Sequence, residues 1–204
     1  MKRSTSYLFI AILFIVSAFK PYPHGTGIYS INSSESNIVW KGEKMTGNHV
    51  GNIQVKNGTL TFDHHLIKSG KIEFDMSSIQ CTDLEGDSKK DLEDHLKDDD
   101  FFSVSKFPSA IFEITGSSPY QGSETGFNCQ VSGNLTIKGI TNPISFPANV
   151  SINGTTLIGK ASVNFDRTKW DIKYKSKSIF PDLGDKFIYD EISMKMNITA
   201  NLVK

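Results

Sequence analysis

Two stretches of this chain have residue types and spacing that could do chemistry. Gly47-Asn48-His49-Val50-Gly51 sets a histidine between glycines, and Asn164-Phe165-Asp166-Arg167-Thr168-Lys169-Trp170 sets an acid, a base and two aromatics in one run. A histidine base needs a group to orient it, and Asp166 is a candidate partner for His49, placing an enzyme acting on an apolar substrate among the readings. Asp166 and Arg167 are at least as well suited to a salt bridge that closes the end of a fold. Other constellations fall short. His64-His65 is a neighbouring pair without a third ligand at metal spacing, and a turn explains it better. The acids from Asp83 to Asp100 lack the alternating ligand order of a calcium loop. No Gly-x-Ser-x-Gly, phosphate loop or Cys-x-x-Cys occurs. The expectation is therefore no metal and no catalytic residue.

The other unusual feature is apolar. A helix is expected over Ser88 to Lys97, with Leu92 and Leu96 four apart on one face. Asp98, Asp99 and Asp100 oppose the negative end of that helix and should stop it. Phe101 and Phe102 follow together. Two adjacent phenylalanines are not left in water without a use, so they are expected to line or cover something apolar.

The elements that must position these residues are strands. Period-2 alternation places Ile38 and Trp40, then Gly51, Ile53 and Val55, then Leu60 and Phe62, then Ile72, Phe74 and Met76 on one face. It resumes after the helix with Ala110, Phe112 and Ile114, with Cys129 to Ile137, with Ile144 to Ile152, and with Leu157 to Phe165. A last long run carries Ile188, Ile192, Met194, Met196, Ile198, Ala200 and Leu202. Asn57-Gly58 and Asn153-Gly154 are hairpin turn signals. About eight antiparallel strands make a sandwich or a closed barrel, and the long last strand favours the barrel, because long open edges are sticky. The inward set Trp40, Ile72, Phe74, Phe112, Leu135, Phe146, Val163, Phe165, Met194 and Met196 is apolar, and Gly133, Gly159 and Ala161 either leave space inside or relieve curvature.

The chain has 204 residues, with 22 basic and 22 acidic side chains. Lys2 and Arg3, an apolar run from Tyr7 to Phe19 and Val16-Ser17-Ala18 form an expected signal peptide over 1–18, too short to span a bilayer. Its removal would leave 20 basic and 22 acidic residues, with no basic excess for nucleic acid. Residues 19–35, rich in Pro, Gly and Ser, are expected to be a linker, and 36–204 one domain. Cys81 and Cys129 are expected at opposite ends of a meander, too far apart for a disulfide.

Trp40-Lys41-Gly42, Gly47 to Gly51, His95-Leu96-Lys97, Phe101-Phe102 to Lys106-Phe107-Pro108, Gly133 to Gly139 and Phe165-Asp166-Arg167-Thr168, in this order, resemble the YceI-like family over nearly all of 36–204. The resemblance implies an all-β, lipocalin-like antiparallel barrel in the periplasm with a short helical insertion. It also implies an apolar tunnel that holds a polyisoprenoid or isoprenoid quinone. Asp171 departs from the family pattern, which has glycine there. The expected function is an exported, non-catalytic carrier or store of a long isoprenoid lipid, with that lipid as ligand and no cofactor. The ligand contacts are expected from the inward set together with Phe101 and Phe102, and His49, Arg167 and Trp170 are expected near a headgroup. Transient membrane contact and a homodimer are compatible with this reading.

Overall fold

The computed structural model describes residues 26–203, so the expected signal peptide and the first part of the expected linker lie outside the described residues. Nine strands form one antiparallel sheet: β1 (Gly27–Ile31), β2 (Asn37–Lys44), β3 (Gly47–Asp63), β4 (Leu66–Cys81), β5 (Ser109–Pro119), β6 (Cys129–Ile137), β7 (Ile140–Asn153), β8 (Thr156–Asp166) and β9 (Ile188–Leu202). Strands β2 to β9 close into an eight-stranded barrel through the β3–β4 and β2–β9 pairings. The helix α1 (Gly86–Lys97) lies between β4 and β5.

The extra strand explains the closure. Strand β2 pairs with β3 only over Gly47 to Ile53, and with β9 only as far as Asn197. Both neighbours run on past it. Strand β1 fills the same gap further along, pairing with Thr59 to Phe62 of β3 and with Ala200 to Leu202 of β9. Residues 27–35 therefore belong to the barrel and not to a linker. The strand Gly27–Ile31 is too short to stand out after a Pro- and Gly-rich stretch, yet it turns Tyr29 and Ile31 inward and pairs with two long neighbours.

Asn57-Gly58 is not a turn. Strand β3 continues straight through it, with a bulge between Val55 and Asn57. A Cβ on Gly58 would come within 2.5 Å of Ile31 and 2.7 Å of the Lys71 carbonyl, so this glycine admits close packing by β1 and β4. The chain reverses instead at His64-His65, both in the left-handed region (φ 47° and 69°).

Alternation sends the apolar side chains inward and the polar ones to water, the reverse of a membrane-spanning barrel. The two ends differ. The far end carries the tight reversals at 64–65 and 154–155 and the connection 120–128. The other end, here the mouth, carries α1, the loop 98–108 and the long connection 167–187. Cys81 and Cys129, at opposite ends of the barrel, are both free and buried.

Candidate ligand cavity

Inward side chains do not fill the barrel. A cavity of about 170 Å³ lies toward the mouth. Leu135, Val163 and Phe74 line its wall, with Trp40, Phe165, Met194 and Met196, which stay only partly buried because they face it. Its lining turns polar at Glu43, Lys44 and His49 on the β2–β3 hairpin. A smaller cavity of about 50 Å³ lies deeper and includes Ile72.

Helix α1 and the loop after it form the cover. Leu92 and Leu96 line the cavity. The Asp98 amide donates to the Asp94 and His95 carbonyls, closing the helix where the three aspartates begin. The chain then doubles back. The amides of Phe102 and Val104 donate to the carbonyls of Leu96 and Lys97, at 3.2 and 2.9 Å, with Ser103 left-handed (φ 50°). This fold-back turns Phe101 and Phe102 into the cavity, with ring centroids 5.2 Å apart. The aspartates have ordinary partners: Asp99 accepts from Lys106 at 2.6 Å and from Ser103 at 2.8 Å, and Asp100 lies 3.6 Å from His95 Nδ1.

Two polar atoms at the cavity are left over. Trp40 Nε1 and His95 Nε2 are buried without a hydrogen-bond partner among the described residues, and both residues line the cavity. The Trp40 indole lies over Gly51, where a Cβ would come within 2.4 Å of the ring. His95 packs edge-on against Tyr174, at 4.3 Å between centroids, and against Phe101. Neither His95 nor this role for Trp40 was among the headgroup candidates. The signal was present in Leu92 and His95, since residues three apart on a helix share a face.

The expected mouth residues separate. His49 lines the cavity but is held by Asp83, Nδ1 to Oδ2 at 3.0 Å, and not by Asp166. Strands β2 and β9 lie between His49 on β3 and Asp166 on β8. Asp166 instead accepts from the amide and hydroxyl of Thr168. The Cys81 thiol and the Val50 amide both donate to Asp83 Oδ1, at 2.9 and 3.0 Å. Burial opposes ionisation of Asp83, but the bonds from Cys81, Val50 and His49 outweigh it and bring its pKa down to about 2. Burial and the same carboxylate push the Cys81 thiol up. His49, Cys81 and Asp83 are close enough to share a metal ion, yet they already satisfy one another.

Arg167 and Trp170 do not border the cavity. Arg167 is fully buried and donates to three backbone carbonyls, those of Ile172 (2.8 Å), Ile188 (3.2 Å) and Tyr189 (3.2 Å), with Asp190 at 3.5 Å. Its guanidinium also lies 5.7 Å from the Phe101 ring centre. Burial lowers the Arg167 pKa against the pull of Asp190 and Asp166. Trp170 donates from Nε1 to the Leu135 carbonyl and packs edge-on against Phe165. Both side chains hold the corner 167–172 against the barrel. Asp171 takes the left-handed conformation there (φ 57°, ψ 29°), one that aspartate adopts more readily than most side chains.

A closed antiparallel barrel, apolar inside, polar outside and covered at one end by a helix and a paired-phenylalanine loop, is the class these features define. The YceI-like domain matches residues 29–200, and the chain belongs to that family. Protein YceI of Salmonella arizonae and of Salmonella newport are each 30% identical over 129 residues, 62% of this chain and 61% of theirs. The match thus spans less than two thirds of these curated relatives. Among solved structures, Burkholderia cenocepacia BcnA superposes with a TM-score of 0.63 at 22% identity, covering 84% of this chain and 99% of that one. A polyisoprenoid binding domain from Saccharophagus degradans gives 0.62 at 12% identity, over 86% and 98%. The Campylobacter jejuni YceI protein gives 0.51 at 18% identity, over 80% and 85%. These likenesses establish the shared fold.

Proposed function

We propose that the protein is an exported, non-catalytic carrier or store of a long apolar lipid, of the polyisoprenoid or isoprenoid quinone type, held in the barrel. The observation that carries this reading is an apolar cavity under an apolar cover, with two buried polar atoms, Trp40 Nε1 and His95 Nε2, left unpaired beside it. A ligand that is hydrocarbon for most of its length and polar at one end would fill the first and satisfy the second. The Saccharophagus neighbour, named for polyisoprenoid binding, supports the ligand class. Lys2 and Arg3 ahead of the apolar run from Tyr7 to Phe19 support export to the periplasm.

Energetics favour such a ligand. An unpaired polar group costs ~1–3 kcal/mol to bury, whereas each buried CH₂ contributes ~0.8 kcal/mol. A void of ~150 Å³ holds about one benzene, so the 170 Å³ cavity accepts a few carbons at rest. A longer chain needs wall residues that yield, and Met194 and Met196 are unbranched and adaptable.

Mass spectrometry of an organic extract of protein purified from a producing bacterium tests the proposal. The expected result is a stoichiometric long-chain lipid that survives incubation without chemical change. A protein that holds no lipid and takes up none from added isoprenoid quinone would overturn it. Turnover of the lipid that disappears in His49→Ala would favour the enzymatic alternative.

A further inference from the structure

The two cavities share three lining residues, Phe112, Phe146 and Met196. The Phe112 and Phe146 rings lie 5.5 Å apart between centroids, tilted by 39°. Phe112 reaches across because β6 offers it a slot: a Cβ on Gly133 would come within 2.6 Å of the Phe112 ring and 2.4 Å of the Glu113 carbonyl. The three side chains stand as a partition between the mouth chamber and the deep one.

Behind the partition, Gly159 sits in the regular part of β8, opposite Val150 and Ile198. It is the reverse of Gly133. A Cβ there would meet nothing within 4 Å, and its backbone is not in the left-handed region. No turn, bulge or close approach accounts for it. A glycine inside a strand forfeits side-chain packing, and the space it leaves here is the deep chamber. An apolar void kept open on an unconstrained strand position is a place for part of a ligand.

We propose that Phe112, Phe146 and Met196 form a movable partition, and that the chamber on Gly159 receives the far end of the ligand's hydrocarbon tail. Gly159 then sets the longest tail the barrel accepts. This rests on the lipid-carrier reading above. The opening move is side-chain rotation: Met196 has three rotatable bonds, and the tilted ring pair can separate without any change in the sheet. Tails too short to reach the partition stay in the mouth chamber. Longer ones displace it and gain up to about fourfold in affinity per methylene, less the cost of ordering the chain.

The test uses lipid-free protein and a series of isoprenoid quinones with one headgroup and increasing tail length. Affinity of the unaltered protein is expected to rise with length and then level off. Gly159→Leu carries bulk into the deep chamber from a position where the Cβ meets nothing within 4 Å. It should lower the ratio of longest-tail to shortest-tail affinity at least tenfold and move the plateau to shorter tails. Gly159→Ala, which adds one methyl group into open space, should give a smaller shift in the same direction and guards against a folding defect in the leucine variant. If the unaltered protein shows rising affinity and both variants keep its ratio, the partition proposal fails and the carrier reading stands. If the unaltered protein binds no member of the series, both fail together.

Discussion

The two ends of this barrel are built from the same alternation and finish differently. At the far end Tyr29 and Phe62 meet edge-on, 6.5 Å between centroids, and both are almost fully buried. Strand β1 seals the wall beside them, and the connections at 64–65 and 154–155 are tight, with 120–128 the longer one. At the mouth Trp40, Phe102, Phe165 and Met194 stay only partly buried, and the connections 82–108 and 167–187 are long. Alternation settles which face points inward. Whether the inside is full depends on what arrives from neighbouring strands, and at the mouth nothing arrives except a cover. Beyond the small deep chamber the far end is a packed core, and the mouth is a site.

The largest expected effect lies at the corner 167–172, where the buried Arg167 guanidinium ties the mouth connection to the barrel. Arg167→Leu removes the donor from three buried carbonyls and leaves Asp190 without its charged neighbour. Breaking a buried ionic network from one side costs ~3–5 kcal/mol, so the urea midpoint should fall steeply. The Phe101 lid should loosen as well, since the guanidinium packs on that ring. A loss under ~1 kcal/mol, below the ~1–3 of even one orphaned group, would mean water reaches this corner.

A second pair of variants breaks or sharpens the comparison directly. Phe62→Ala opens a cavity in the packed end and should cost ~3–5 kcal/mol. Phe102→Ala removes a half-buried ring from the cover and should cost less than ~1.5–3 kcal/mol, the value for full burial of such a side chain. Its stronger effect should fall on retention of a loaded isoprenoid quinone, measured by transfer to vesicles. Equal stability losses from the two variants would show that both ends are core.

Much of this contrast was legible in the residue pattern. The alternating faces, the helix, its stop at Asp98 and the inward turn of Phe101 and Phe102 all follow from local chemistry. What stayed hidden depends on partners distant in sequence. Arg167 beside Asp166 resembles a rim ion pair, and only the return of residues 188–190 turns it inward to carbonyls. Asn57-Gly58 has the composition of a turn, yet β1 packs over it. Gly133 and Gly159 are alike in sequence and opposite in space: one is occupied by the Phe112 ring and the other is empty. The pairing of His49 with Asp83 needed the β3–β4 register, which shifts at three places between them and the far end.

The smallest expected effect separates the wall from the mouth by acid titration. Glu73 lies on the outer face of β4 and accepts from Ser109 at 2.7 Å, Lys56 at 2.9 Å and Asn57 at 3.0 Å. The bond from Lys56, then those from Ser109 and Asn57, bring its pKa from 4.5 down to about 2. Below 4.5 the unfolded chain takes up this proton while the folded one does not, so stability falls with falling pH. The contribution of Glu73 is complete above about pH 4.5 and is lost by about pH 2. The group is partly exposed, so solvent screening keeps the effect small and salt-dependent. Glu73→Gln should flatten the stability profile across that window and leave quinone retention as it was, because the side chain faces water on the other side of the wall. If the acid slope persists in Glu73→Gln, another carboxylate with a lowered pKa carries it, Asp63 at the far end or Asp83 at the mouth. Asp83 is then the first to change, since its pKa is also held at about 2, and if it is responsible, retention of the lipid should move with it.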